Sequence, residues 1–516
     1  MVDKGLIVTL VLDCCYSGNV ARHDGIDFAI RGIEYNPNIP IVESEILENS
    51  ISSSSRLARV VNDWLVDPAG YTILSACGPY ELAYEVNITG QGRFGSLTYY
   101  LLRTLRALKT KGESITHQSL HDRLRAEFRE SWPRQTPMRY GNKHLSFFGT
   151  LIDAHEPASV SVYRTKDRIC IAAGQVHGIN EGDEFALLPF GESQQVAEQR
   201  RRVMKVRTVR PFESELDAIR PESEPTTEIM TGWRAKLITA SHARKVRVKL
   251  EAAIDNKHLW KDASQKLPYS HVGTEEEGED YIFNVVINKK GEYAVLDALH
   301  QGDLGLPTVP VNAPDAMAKV LRIVDHITTY KYLEGVNNPF PEKSFQALFS
   351  VTSPSTVDSS GVYAVSHGDT WRFTVKNTRR KPLFMTVYNF TSEWAVTNLI
   401  SETGGDSYCV IPPPRNSETE YVEEIPLDME VPEGTRGGLC KDILKVFITS
   451  KPVSFPTQIL PDMPRYVDDL DHDVNGMDFF KESETHDRGV ENDDDGIGDE
   501  WVTHNFVIQT TLKSYR

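Results

Sequence analysis

Three cysteines sit where an apolar run gives way to small or polar residues, in Asp13-Cys-Cys-Tyr-Ser-Gly18 and in Ser75-Ala-Cys-Gly-Pro79. A thiol at such a place becomes a nucleophile when a base or a local positive potential raises its thiolate fraction. At a free pKa of about 8.5 only a few per cent is ionised at neutral pH. Gly18 permits a sharp turn that would bring backbone N–H groups near an oxyanion. Asp13, with Glu81 and Glu85 after the second run, would line a negative pocket for a cationic side chain. The competing readings are that Cys14 and Cys15 are small buried hydrophobes and that Glu81 and Glu85 are exposed loop carboxylates.

The elements that must position these groups read as α/β. Leu6-Ile-Val-Thr-Leu-Val-Leu12 is a continuous apolar run, expected as a strand buried on both faces, and Tyr71-Thr-Ile-Leu-Ser-Ala-Cys77 is a second. In doubly wound sheets active residues project from the carboxyl ends of strands, where both cysteine motifs stand. Gly95 to Leu108 is expected as a helix, with Leu97, Leu101, Leu102 and Leu105 at helical spacing. His117 to Glu130 is expected as an amphipathic helix with Leu120, Leu124 and Phe128 on one face, and Leu145 to Phe148 as a closing strand. The connection 19–69, with its serine run Ser52 to Ser55, is long enough to be functional or disordered.

Downstream the pattern becomes β-rich. Arg168–Ala172 and Glu184–Leu188 flank the turn Gly178–Asp183, as in a small barrel. Strands such as Tyr281–Ile287 then mix with a helix near Ala316 to Thr328. From Phe345 on, Thr370–Val375, Leu383–Phe390 and Ile443–Ile448 suggest an antiparallel sandwich. The expected units are 1–155, 156–243 (a small β-barrel), 244–340 (α+β) and 341–516 (the sandwich), with no internal repeat.

The chain of 516 residues carries a net charge of −17, and 14 acidic against two basic residues between Asp468 and Glu500 account for −12 of it. That block is expected to be a disordered insertion. The acidic balance argues against nucleic acid as a partner, and no run approaches the roughly 20 apolar residues needed to span a bilayer. Six cysteines in so long a chain, and no signal-peptide pattern at Met1 to Thr9, point to a reducing, cytoplasmic setting without a disulfide framework.

Leu12-Asp-Cys-Cys-Tyr-Ser-Gly18 resembles the nucleophile motif of caspase-like cysteine peptidases, on the metacaspase and paracaspase side with many fungal relatives. Ser75-Ala-Cys-Gly-Pro-Tyr-Glu-Leu-Ala-Tyr-Glu85 is similar to the family's first small-subunit strand and substrate loop, and Gly92–Leu102 to the helix that follows. Gln135-Thr-Pro-Met-Arg-Tyr-Gly141 and Leu145-Ser-Phe-Phe-Gly149 resemble the closing segment and last strand. The resemblance covers roughly 5–152. It implies the C-terminal half of a caspase-like sheet, followed by β-rich accessory domains that end in an antiparallel β-sandwich.

By this resemblance Cys15 is the catalytic nucleophile and Cys14 its neighbour. Asp13 holds an Arg or Lys before the cut bond, and Ser75, Glu81 and Glu85 belong to the substrate-binding side. Tyr16 stands where many relatives have His. The substrates would be proteins, and relatives often need calcium, for which no residue here is assigned. The family's catalytic His lies on an upstream strand, whereas 14 residues precede Cys15 and none is His. His23 follows Cys15 by eight positions on the wrong connection, and His117, His121 and His144 are expected in surface or packing roles. The leading expectation is an N-terminally truncated endopeptidase in which Met1 is internal to a longer protein. The alternative is a pseudoprotease or scaffold that acts on protein partners through its β domains. The connection 19–69 is a candidate for self-processing after Arg22, Arg31, Arg56 or Arg59.

Overall fold

The computed structural model describes residues 6–14, 59–60, 71–78, 81–88, 90, 92–111, 115–131, 135–142, 145–147, 159–165, 168–191, 194–219, 229–241, 244–273, 281–298, 304–400, 408–414, 418–432, 435, 438–453, 455, 459–463 and 498–512. Cys15, Tyr16, Gly18, His23, the serine run, Arg22, Arg31, Arg56 and His144 lie outside them, as does the acidic block except for its last three residues.

The strand Val8–Leu12 pairs in parallel with Tyr71–Ser75, in register from Val8↔Tyr71 to Leu12↔Ser75. Met138–Gly141 pairs antiparallel with the other side of Tyr71–Ser75. Only the middle strand is buried as expected. The first has a described neighbour on one side alone, and Leu6 (54 % exposed) and Leu10 (44 %) face solvent. A continuous apolar run reports strand propensity but not how many neighbours the strand has.

The closing strand also differs from expectation. Met138–Gly141 takes that place, while Leu145 and Phe147 turn back to the entrance of the second helix, through His117 N–H to Leu145 O and Phe147 N–H to Ile115 O. Gly141 ends the sheet. At φ +83° it lies so close to Tyr71 O that a Cβ would sit 2.3 Å away.

The helix Ser96–Lys111 buries Leu97, Leu101 and Leu108 against this sheet but leaves Leu102 exposed. The helix His117–Ser131 buries Leu120, Leu124 and Phe128 as its periodicity requires. Its polar side is buried too, because it packs against Val160–Thr165 of the next unit. Arg129 lies over the Tyr163 ring at 4.8 Å, and Arg123 donates to Thr231 O and pairs with Glu127. The amphipathic helix is therefore an inner layer between sheet and barrel, and His117 and His121 are packing residues.

That barrel is closed and six-stranded, in the order Arg202–Val209, Ser214–Ala218, Arg168–Ile171, Val160–Thr165, Arg234–Thr239, Glu184–Leu188. A five-stranded mixed sheet follows, with Val246–Leu250 parallel to both Ser270–Gly273 and Phe283–Ile287. The helix Ala316–Glu334, a turn and a half longer than expected, packs on it. The sandwich has a four-stranded and a six-stranded sheet. Asp369–Asn377 and Leu383–Phe390 belong to opposite sheets, so the Arg379–Pro382 turn crosses between layers. Among the described strands the expected antiparallel pattern has one exception, Val362–Ser366 alongside Trp501–Thr511. From the long connection, Arg59–Val60 pairs with the edge strand Tyr421–Met429, so the backbone at Arg59 is already held in a ladder. No described helix is long and apolar enough to cross a membrane.

At the end of Ala316–Glu334 the buried Lys445 of the sandwich donates to Glu334 O at 2.5 Å and Leu333 O at 3.4 Å. It supplies N–H donors to the helix end, chiefly to Glu334 O since Leu333 O also accepts from Val336 N–H at 3.1 Å, and burial pushes its pKa down to about 7. Lys445→Met is expected to cost about 1–3 kcal/mol, the usual penalty for buried unsatisfied acceptors. Amide exchange of the last turns of 316–334 should quicken accordingly, while the first module stays protected. Unchanged exchange there would show that these carbonyls do not need the lysine.

Candidate functional site

In-register parallel pairing sets the two strand ends side by side, with Ala76 N–H donating to Leu12 O at 2.8 Å. Asp13-Cys14 and Ser75-Ala76-Cys77 thereby meet. The buried Cys77 thiol donates to Glu81 O at 3.4 Å and lies 3.9 Å from Cys14 O. Cys14 is exposed, and all five described cysteines are free thiols. Cys15, the proposed nucleophile, lies outside the described residues.

Asp13 reaches across to the start of Ser96–Lys111. Its Oδ2 accepts from Thr98 N–H at 3.2 Å and from Thr98 Oγ–H at 2.5 Å. That helix has no acidic residue in its first turn, so Asp13 supplies from another strand the anion that a helix N-terminus favours. Thr98 was not singled out from sequence, although a helix start lacking its own acid is the signal that could have pointed there.

Ser75 is buried and donates to Cys77 O at 3.2 Å, which places it beneath the turn rather than on its surface. Glu81 also faces inward. It accepts from Thr136 N–H (2.7 Å), Thr136 Oγ–H (2.8 Å) and Gly78 N–H (3.2 Å). Burial pushes its carboxyl pKa up, opposed by these hydrogen bonds and by Arg125. Glu81 is thus a half-buried latch between the turn and the segment at 136, not an exposed loop carboxylate. Glu85 begins the strand Glu85–Ile88, paired with Gly92–Gly95, and is partly exposed.

Gln135 is the hub. Its fully buried amide donates from Nε2 to Ala76 O at 2.7 Å, while Oε1 accepts from Tyr84 N–H (3.0 Å) and Ser96 Oγ–H (2.7 Å). One side chain ties the strand end, the loop and the helix start together.

The two described histidines of this module are occupied elsewhere. His117 Nε2 lies 3.1 Å from Thr9 Oγ1, and His121 Nε2–H donates to Pro137 O at 2.9 Å. Burial, and then Arg139, hold the His117 pKa down at about 4. Burial, Arg125 and Arg139 push His121 well below its usual range. Both are neutral at physiological pH. No group of three or more His, Cys, Asp or Glu side chains gathers as a metal site among the described residues. Protein-family models and curated proteins, compared with this chain, gave no match.

The depressed histidines make this module acid-sensitive. An unfolded His117 takes up its proton near pH 6.5 and the folded one only near 4, so its contribution is complete above pH 6.5 and is lost as pH falls toward 4. Between pH 8 and 5 the loss from His117 is about 1–2 kcal/mol after allowance for partial solvent screening. Amide exchange of helix 117–131, corrected for intrinsic rates, should show it. His117→Gln should weaken the pH dependence. An identical dependence in the variant would assign the acid sensitivity elsewhere.

Proposed function

We propose that residues 1–155 are the cysteine-bearing part of a caspase-like endopeptidase that cuts proteins after Arg or Lys, with Cys15 as nucleophile. The observation that carries this reading is the meeting of the two strand ends, Leu12 against Ser75, which brings Asp13-Cys14 beside Ser75-Ala76-Cys77. On this reading the Cys15 thiol gives its proton to an imidazole and the thiolate attacks the peptide carbonyl. Backbone N–H groups of the turn through Gly18 hold the oxyanion. The leaving amine takes the proton, and water hydrolyses the thioester to free the thiol. Asp13 receives the basic side chain of the substrate while also holding the helix through Thr98, and Glu85 lies on the substrate side. Ser75, Glu81 and Gln135 position the turn from beneath.

A second reading, a non-catalytic scaffold whose barrel and sandwich engage protein partners, draws support from the histidines. Neither described imidazole of the module is available as a base, since both are bound to other groups. An Arg-based thiol-reactive probe separates the two readings. Stoichiometric labelling of Cys15 in preference to Cys14 and Cys77, abolished by Cys15→Ala, supports the peptidase; no selective labelling leaves the scaffold. Turnover of Arg peptides by residues 1–516 is expected to be negligible. Robust turnover lost in Cys15→Ala would mean that a histidine such as His23 serves as base.

Asp13→Asn tests the substrate role, because an amide oxygen still accepts from Thr98 while the charge is gone. In a form of the protein that turns over, kcat/KM for Arg or Lys substrates should fall roughly a hundredfold and that for uncharged substrates much less. Thermal stability should shift little, whereas Asp13→Ala should also lose about 1 kcal/mol as a helix cap. Equal kinetic losses on both substrate types would make Asp13 a positioning residue alone.

A further inference from the structure

Carried two positions past Leu12↔Ser75, the register that joins the first two strands sets Cys14 opposite Cys77. We propose that this pair is a redox-switched modification site, in which a hydroperoxide drives a Cys14–Cys77 disulfide that staples Val8–Leu12 to Tyr71–Ser75. The pairing rests on the strand geometry and not on the peptidase reading.

Neighbouring strands lie about 5 Å apart, inside the range of about 4.4–6.8 Å between Cα atoms that a disulfide spans. The two strand ends stay in contact beyond the ladder. Ala76 N–H donates to Leu12 O at 2.8 Å, and Cys77 Sγ lies 3.9 Å from Cys14 O. The backbone bends at both cysteines, so it is not held to a flat ladder where the sulfurs must meet. Cys14 is exposed and Cys77 is buried beside it, the arrangement of an attacked and a resolving thiol.

The chemistry balances with the peroxide as the one oxidant. The Cys14 thiolate attacks its distal oxygen, the O–O bond breaks, and the leaving hydroxide or alkoxide takes the proton the thiol gave up. Cys77 sulfur then attacks the sulfenic sulfur, its proton leaves with the hydroxyl as water, and the S–S bond forms. The other described cysteines are poor competitors. Burial, with acidic neighbours, pushes the thiols of Cys170 and Cys440 up to about 11 and that of Cys409 up to about 12. The bridge also holds an edge, since Val8–Leu12 has a described neighbour on one side alone and a crosslink removes the freedom gained when such a strand peels away.

The test treats the full chain with stoichiometric hydrogen peroxide, blocks remaining thiols with N-ethylmaleimide and maps the peptides without reduction. The peptide holding Cys14 should appear joined to the one holding Cys77, and dithiothreitol should part them. Cys15→Ser should form the same bridge, because Cys15 shares that peptide but not the position opposite Cys77. Cys14→Ser, at an exposed position, should lower the yield about tenfold or more. Cys77→Ala should leave a Cys14 sulfenic acid that dimedone traps. In the bridged chain, amide exchange of 8–12 should slow about tenfold or more against the reduced chain. Loss of the bridge in Cys15→Ser overturns the assignment, and so does oxidation of Cys14 without a crosslink. A bridge that leaves exchange of 8–12 unchanged overturns its role as a staple.

Discussion

A helix taken out of water on nearly every side must find partners for its ends and for every polar side chain it carries inward, and Ala316–Glu334 imposes that demand on three units at once. Tyr332 donates to Gly178 O of the barrel, His326 to Trp394 O and Tyr330 to Thr391 O of the sandwich, and Lys445 closes the last turn. Its apolar residues join one continuous core that runs from Val162 and Phe185 through Val248 and Phe283 to Tyr388, Phe447 and Trp501. Trp394 shows the strength of the constraint. It holds φ at +66°, a conformation that costs a bulky residue about 1 kcal/mol or more. In return its ring packs 5.0 Å from Tyr330 and its indole N–H reaches Leu304 O. The segments on either side of 243 and 340 therefore contribute to one continuous core.

The first module follows the same logic at smaller scale. Gln135 and Thr136 are neighbours in sequence, and between them they fix Ala76, Tyr84, Ser96 and Glu81. Each buried bond left unmade would cost about 1–3 kcal/mol, so the turn after Tyr71–Ser75 and the loop at 81–84 are one rigid piece with the segment at 135–136. A peptidase needs such rigidity beneath its nucleophile, and a scaffold could keep it merely as packing. The geometry is common ground for both readings.

Periodicity made the helices, the barrel strands and the sandwich strands legible, because each is a local consequence of which residues can face a core. Long-range pairing was not legible. Leu383–Phe390 alternates like the hairpin partner of Asp369–Asn377, yet it lies in the opposite sheet, and nothing local distinguishes the two outcomes. The burial of the polar face of His117–Ser131 was not legible either, because its partner is another unit's strand. At the candidate site Asp13 and Ser75 were legible by residue type and place. Thr98 and Gln135 were not, since their bonds to Asp13 and Ala76 join positions far apart in the chain.

The Thr98 bonds bear on what Asp13 can do for a substrate. A carboxylate offers about four lone-pair sites, two on each oxygen. Oδ2 already accepts two donors from Thr98, so a bidentate fork of the kind that lets a carboxylate choose Arg over Lys would have to displace one of them. On the proposed reading, a substrate cation meets Asp13 as a charge and not as a planar fork. Lys satisfies that requirement nearly as well as Arg. On that reading the bond that seats the helix favours recognition of positive charge over guanidinium shape, and a sharper preference for Arg would have to come from other groups.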